Sequence, residues 1–211
     1  MTWLADVEVW SSETMLYVPA LPGLFAKGGS VAECLAIATA ALDPFLDWLV
    51  ADELLPDRPT TGEIIVRETV PGTDATGPLF ASDRLALDQE LIELGLAVGR
   101  AAISDLLYLL DEADGASRAA VEQNLRHVAE LDRWYATRLL PGSGHPFPGI
   151  EDEVVQSASF FEETIDAAVS ASGPDERIID GEIWTIGKVM RRRTVHLREH
   201  VADVLALTQE R

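Results

Sequence analysis

The sequence predicts an α+β chain of two domains: a small β-β-β-α-β unit, then an all-α four-helix bundle. Three observations carry this. Apolar and polar residues alternate through short runs in roughly the first seventy residues, which is strand spacing. From Ser82 onward the apolar spacing becomes helical. Between the two lies "VPGTDATGP", Val70 to Pro78, small and turn-rich, with Val70 its only large apolar residue. The boundary is therefore expected at Thr73 to Pro78, with domains of residues 1–72 and 79–211.

Each element has a local reason. "ADVEVW" sets Val7 and Val9 on one side of a strand and Asp6 and Glu8 on the other. "SSET" reads as a turn and "MLYVPA" as a second strand ended by Pro19. "LPGLFAKGG" supplies a short third strand between glycine-bearing turns. Ser30 with Glu33 makes a capping box for a helix to Val50, whose inner face is Val31, Leu35, Ala38, Leu42, Phe45 and Leu49. Pro44 predicts a kink or restart there. "GEIIVRETV", Gly62 to Val70, is the fourth strand. Beyond the linker, four helices are expected, over 83 to about 113, over "GASRAAVEQNLRHVAELDRWYATRLL", over Glu151 to Ser170, and from Glu182 to about Gln209, with no strands between them.

Composition narrows the function classes. With 47% hydrophobic and 25% charged residues, 211 residues can bury a sizeable core. A formal charge of −20 argues against nucleic acid as the main ligand, because phosphate backbones recruit Lys and Arg. Charges or Pro/Gly interrupt every apolar run, so no membrane span is expected. No signal peptide is apparent, and the single cysteine, Cys34, cannot form an internal disulfide; both readings point to the cytoplasm.

Three of the four histidines share a pattern. In "RRRTVHLREHVADV", His196 and His200 are one helical turn apart, about 40° on the wheel, at the edge of an apolar arc made by Ile183, Ile186, Val189, Met190, Leu197, Val201, Val204 and Leu207. His127 has a similar place on the second helix of the bundle, next to an arc with Val121, Val128 and Tyr135. Three imidazoles on the inner edges of two helices can converge on one metal, and three histidines plus water is an open coordination set. Half-buried histidines also serve as plain hydrogen-bonding residues. His145, in "GSGHPFPG", reads as a loop residue.

Neighbouring charges allow two readings each. Arg193 is either an anion-binding group over the metal or a side chain that snorkels from the bundle end. Asp203 is either an acceptor supporting a ligand histidine or a surface charge. Lys188, Arg191, Arg192 and Arg198 read as a cluster paired with neighbouring acids, weak as a phosphate site. No HExxH, GxSxG, Gly-rich phosphate loop or CxxC occurs, and Glu130 and Glu199 fall at exposed angles.

Two resemblances add to this. "YVPALPGLFAKGGSVAECLAIATAALDPFLDWL", Tyr17 to Leu49, resembles the HicB-like antitoxin domain through its Pro-x-Leu-Pro-Gly turn and the helix after it. That resemblance implies a partner-binding module without a catalytic site. The antitoxins' DNA-binding segment has no counterpart behind it, so no repressor role is expected. "GEIWTIGKVMRRRTVHLREHVADVL" with "NLRHVAELDRWY" resembles the DinB/YfiT-like bundle superfamily over about residues 80–211. It implies that His127, His196 and His200 bind a divalent metal, with Zn or Ni expected. Many members carry Gln where this chain has Asp203. Characterised branches are metal-dependent transferases that use low-molecular-weight thiols such as bacillithiol, mycothiol or glutathione. The resemblance therefore implies a metal-dependent enzyme, of thiol-transferase or hydrolase type, acting on a small molecule. The competing class is a non-enzymatic partner-binding module with a structural or vestigial metal. Broad apolar arcs and a sheet edge predict a homodimer.

Overall fold

A computed structural model describes residues 1–72, 77–140, 149–171 and 176–209. The chain is α+β, an N-terminal four-stranded sheet followed by a helical region. By its internal contacts it divides into two compact units, Met1–Val98 and Gly99–Arg211. That division falls within a helix, whereas the linker expected at Thr73 to Pro78 lies mostly outside the described residues.

In the first unit the strands are β1 (Thr2–Val9), β2 (Thr14–Tyr17), β3 (Phe25–Gly28) and β4 (Glu63–Pro71), with helix α1 (Val31–Ala51) before β4. The sheet order is β3-β2-β1-β4, antiparallel except for the parallel β1–β4 pair. Ser30 caps α1 through a bond from Glu33 N–H to its Oγ (3.2 Å), and the Glu33 carboxylate accepts from Gly29 N–H (2.8 Å). The helix buries Cys34, Ala38, Leu42, Phe45, Leu46 and Leu49. It runs without interruption through Pro44, where a kink or restart was expected. Among the described residues α1 is long and apolar enough to cross a membrane by length and composition alone, with Glu33, Asp43, Pro44 and Asp47 inside it.

The outer face of β1 also differs from the alternation reading. Asp6 and Glu8 are buried rather than solvated. Between Ala5 and Asp6 the register with β4 shifts by one residue, and the extra residue is Arg67. Its guanidinium binds Asp6 through Nε (2.9 Å) and a terminal nitrogen (2.5 Å). Ser82 Oγ also donates to Asp6. Phe80, fully buried, packs on Tyr17 at 5.9 Å between ring centroids. Ser82–Arg84 form a 3-10 turn. Residues 80–84, expected to open the bundle, therefore cover the sheet.

Helices α2 (Gln89–Glu112), α3 (Gly115–Leu139), α4 (Ile150–Ser170) and α5 (Ile186–Gln209) follow. Leu94 and Val98 at the start of α2 belong to the sheet unit's core. In the second unit one apolar cluster draws on all four helices: Ile103, Leu106 and Leu110; Val121, Leu125 and Val128; Val154 and Ala158; Leu197, Val201 and Val204. The i, i+3/i+4 spacing of these residues is what makes each helix bury one stripe.

The fourth of these helices starts later than expected. A hairpin, β5 (Arg177–Ile179) and β6 (Glu182–Trp184), occupies a stretch read as loop and first helical turn. Its turn is Asp180-Gly181, both residues with positive φ (55° and 82°), the two-residue turn that matches strand twist. Thr185 then starts α5, its Oγ1 accepting from Lys188 N–H (3.0 Å).

Candidate metal centre

The α3–α5 seam brings the three histidines together. Ligand atoms of His127, His196 and His200 all lie within 4.8 Å of one another. The rings meet edge to face: His127 is 5.2 Å from His196 and 5.1 Å from His200, and the last two are 4.3 Å apart by centroid. Val128 and Ala129 behind His127, and Leu197 and Val201 beside the pair on α5, are core residues that fix the backbone beneath the rings. His127 is exposed, while His196 and His200 are half-buried, so the cluster opens to solvent on the α3 side. His145 lies outside the described residues.

Asn124, one turn before His127, settles the tautomer of His200. Its Nδ2 donates to Ala120 O (3.0 Å), which turns Oδ1 towards His200 Nδ1 at 2.9 Å. An amide oxygen only accepts, so Nδ1 of His200 carries the proton and Nε2 presents a lone pair. That Nε2 lies 2.9 Å from Nε2 of His196. In the metal-free chain this contact is a hydrogen bond donated by His196. Two imidazoles about 2.0–2.1 Å from one metal stand roughly 3 Å apart when cis. The spacing of this pair therefore fits a shared cation as well as a shared proton.

Electrostatics favour neutral rings. Burial, reinforced by the charges of His200, His127 and Arg192, pushes His196 down from 6.5 to about 3. Burial, then His127, lowers His200, and Asp203 opposes the shift. Neutral imidazole is the form that binds metal.

The neighbouring charges sort themselves differently from the sequence reading. Arg193 does not snorkel: it is 1% exposed, and its Nε and a terminal nitrogen bind both oxygens of Asp132 (2.7 and 2.8 Å). Its guanidinium lies 4.1 Å from the centre of the Phe161 ring. Gly99 makes room for it, since a Cβ there would stand 2.3 Å from the remaining terminal nitrogen. Asp203 is exposed and acts on His200 through its charge, while Asn124 holds the ring nitrogen. Of the expected basic cluster, Lys188 is buried and paired with Glu182 (2.6 Å). Glu130 is exposed, as its wheel angle predicts.

Sequence reasoning missed Asn124 and Asp132. The signal was present: Asn124 precedes His127 by three residues on the same edge of α3, and Asp132 is the acid nearest His127 on the inner side of that helix. The chain matches no protein-family model, no curated protein and no solved structure.

Proposed function

We propose that the chain is a divalent-metal-binding protein whose helical unit is DinB-like and whose sheet unit is a HicB-like partner-binding module, and that it acts as a metal-dependent enzyme on a small molecule. The observation that carries this reading is the triad itself, three imidazoles from two distant stretches of sequence within 4.8 Å of one another. The supporting amide of Asn124 is the kind of partner that orients metal-binding histidines elsewhere.

A divalent metal on three neutral imidazoles, Zn or Ni by the donor set, supplies a Lewis acid that lowers the pKa of a bound water or thiol. The chain's own residues supply the rest. His196 and His200 form the half-buried side of the site, Asn124 fixes one ring, and exposed His127 leaves an approach from solvent. A thiol nucleophile would have to arrive with the ligand. Cys34 is buried in the sheet unit, donates to Thr14 O (3.1 Å), and burial raises its pKa.

The test is metal stoichiometry. Purified protein incubated with Zn or Ni, then freed of excess, is expected to retain one ion per chain. His196→Ala and His200→Ala are expected to lose it while keeping most of the helical circular dichroism, because the apolar stripes hold the helices without it. His145→Ala is expected to keep its metal. Wild-type protein that stays metal-free, or a His145→Ala loss as complete as that of His200→Ala, would overturn the assignment.

A further inference from the structure

Around the α3–α5 seam most cations have a carboxylate partner among the described residues. Lys188 pairs with Glu182 (2.6 Å), Arg133 with Glu153 (2.9 Å), Arg138 with Asp180 (3.0 Å) and Arg193 with Asp132 (2.7 Å). Arg192 has none among the described residues. Its contacts include a hydrogen bond with Tyr135 and charge interactions with His196 and Lys188. Its Nε–H is buried and without a hydrogen-bond partner. In a chain with 36 acidic residues, an arginine with no carboxylate among the described residues, beside two rings that burial keeps neutral, is unusual.

Helix geometry places it. Arg192 precedes His196 by four residues and His200 by eight, so the three share one face of α5. Arg193, a single residue further on, turns into the core and is consumed by Asp132. Arg192 is half-buried, like His196, and His127 beside His196 is exposed. The guanidinium is planar, permanently charged and suited to two parallel bonds with an oxyanion. Tyr135 Oη beside it adds a polar group that can position the same ligand.

From this we infer that Arg192, with Tyr135, forms an anion subsite beside the three histidines, taking the carboxylate or phosphate group of a small-molecule ligand. This deepens the proposed function by naming a ligand class, and it rests on that reading only for what the ligand's other end meets.

The experiment follows the Arg192 Nε–H resonance directly in nitrogen-15 spectra, assigned by its loss in Arg192→Lys. Inorganic phosphate and acetate are titrated separately, into zinc-loaded and metal-free protein, with the zinc stoichiometry measured on the same samples. The resonance is expected to shift saturably with at least one probe, and the stronger of the two identifies the oxyanion. Arg192→Gln and Arg192→Lys, with dispersed spectra showing an intact fold, are expected to weaken that probe by about tenfold or more. An unmoved Arg192 resonance with both probes, or saturable binding unchanged in Arg192→Gln, would overturn the subsite. Zinc retained with Arg192 unmoved defeats the subsite alone. Phosphate or acetate bound at Arg192 in protein that takes up no zinc defeats the metal reading alone.

Discussion

Replacing Gly99 with Ala sets two known effects against each other. Glycine inside α2 costs about 1 kcal/mol relative to alanine, so on propensity alone the substitution would stabilise. The added Cβ, however, would stand 2.3 Å from a terminal nitrogen of Arg193, 3.3 Å from its Cζ and 3.5 Å from Leu197 Cδ1. Relieving that overlap requires a shift of roughly 1 Å, and overpacking of this kind costs about 1–3 kcal/mol. A flexible arginine could usually retreat. Here the guanidinium is fixed by both oxygens of Asp132 and by the Phe161 ring 4.1 Å away, with both charged partners buried. Partial loss of such a pair approaches the roughly 3–5 kcal/mol that follows when one partner is removed. The steric and electrostatic costs therefore exceed the propensity gain, and Gly99→Ala is expected to destabilise by about 1–3 kcal/mol net. Urea unfolding followed by far-ultraviolet circular dichroism measures it. The penalty should shrink when Arg193→Met and Asp132→Leu are introduced together, which removes the obstacle without stranding a charge. A Gly99→Ala protein as stable as wild type, or more so, would show that the guanidinium is not held as described.

Three further outcomes are expected. Asn124→Ala should lower zinc affinity by about 10–100-fold without abolishing binding, since it frees the Nδ1 proton of His200 but removes no ligand; competition with a chromophoric chelator reads this. In metal-free protein, the depressed His196 pKa favours folding fully above the ordinary value of 6.5, and this contribution is lost as pH falls towards about 3. Urea midpoints between pH 7 and 4 should therefore fall less steeply in His196→Gln than in wild type, and equal slopes would contradict the burial of that ring. Limited proteolysis should cut first within Thr73 to Pro78, because small-residue linkers are preferred sites; first cuts within residues 82–110 would contradict the domain boundary read from sequence.

What the sequence made legible were the features that repeat. The β-β-β-α-β order and the four later helices follow from periods of two and about 3.6, and Ser30 with Glu33 placed a helix start to the residue. The triad was legible for the same reason, since one-turn spacing fixes the relation of His196 to His200. Less visible were features decided by distant residues. Asp6 and Glu8 look solvated in "ADVEVW", but Arg67 and Ser82 bind Asp6 and the Trp10 indole N–H donates to Glu8. The β5–β6 hairpin was missed because "RIIDGEIW" was weighed as the approach to a helix. Its Asp-Gly between two apolar pairs is a turn signal that outranked the helical pattern beginning beyond it.

Arg192 and Arg193 show where the reading of a helix wheel stops. Adjacent residues differ by about 100°, so the wheel can say that one faces inward and the other lies to its side. Arg193 turns inward with the apolar arc, but the consequence depends on what stands opposite. Asp132 on α3 neutralises Arg193, Gly99 on α2 supplies the space and the Phe161 ring on α4 lies 4.1 Å away, leaving Arg193 a clamp between helices. Among the described residues Arg192 meets the Tyr135 phenol, the His196 imidazole and the charge of Lys188, and no carboxylate. The same seam thus holds one guanidinium paired with a buried carboxylate in the interior and another with no carboxylate among the described residues at its margin, beside two rings that burial keeps neutral. The half-buried pair His196 and His200, which burial keeps neutral, offers lone pairs to positive charge, and Arg192 a turn away offers a site for negative charge. On the proposed reading a bound ligand would meet both: a metal ion, and an oxyanion beside it.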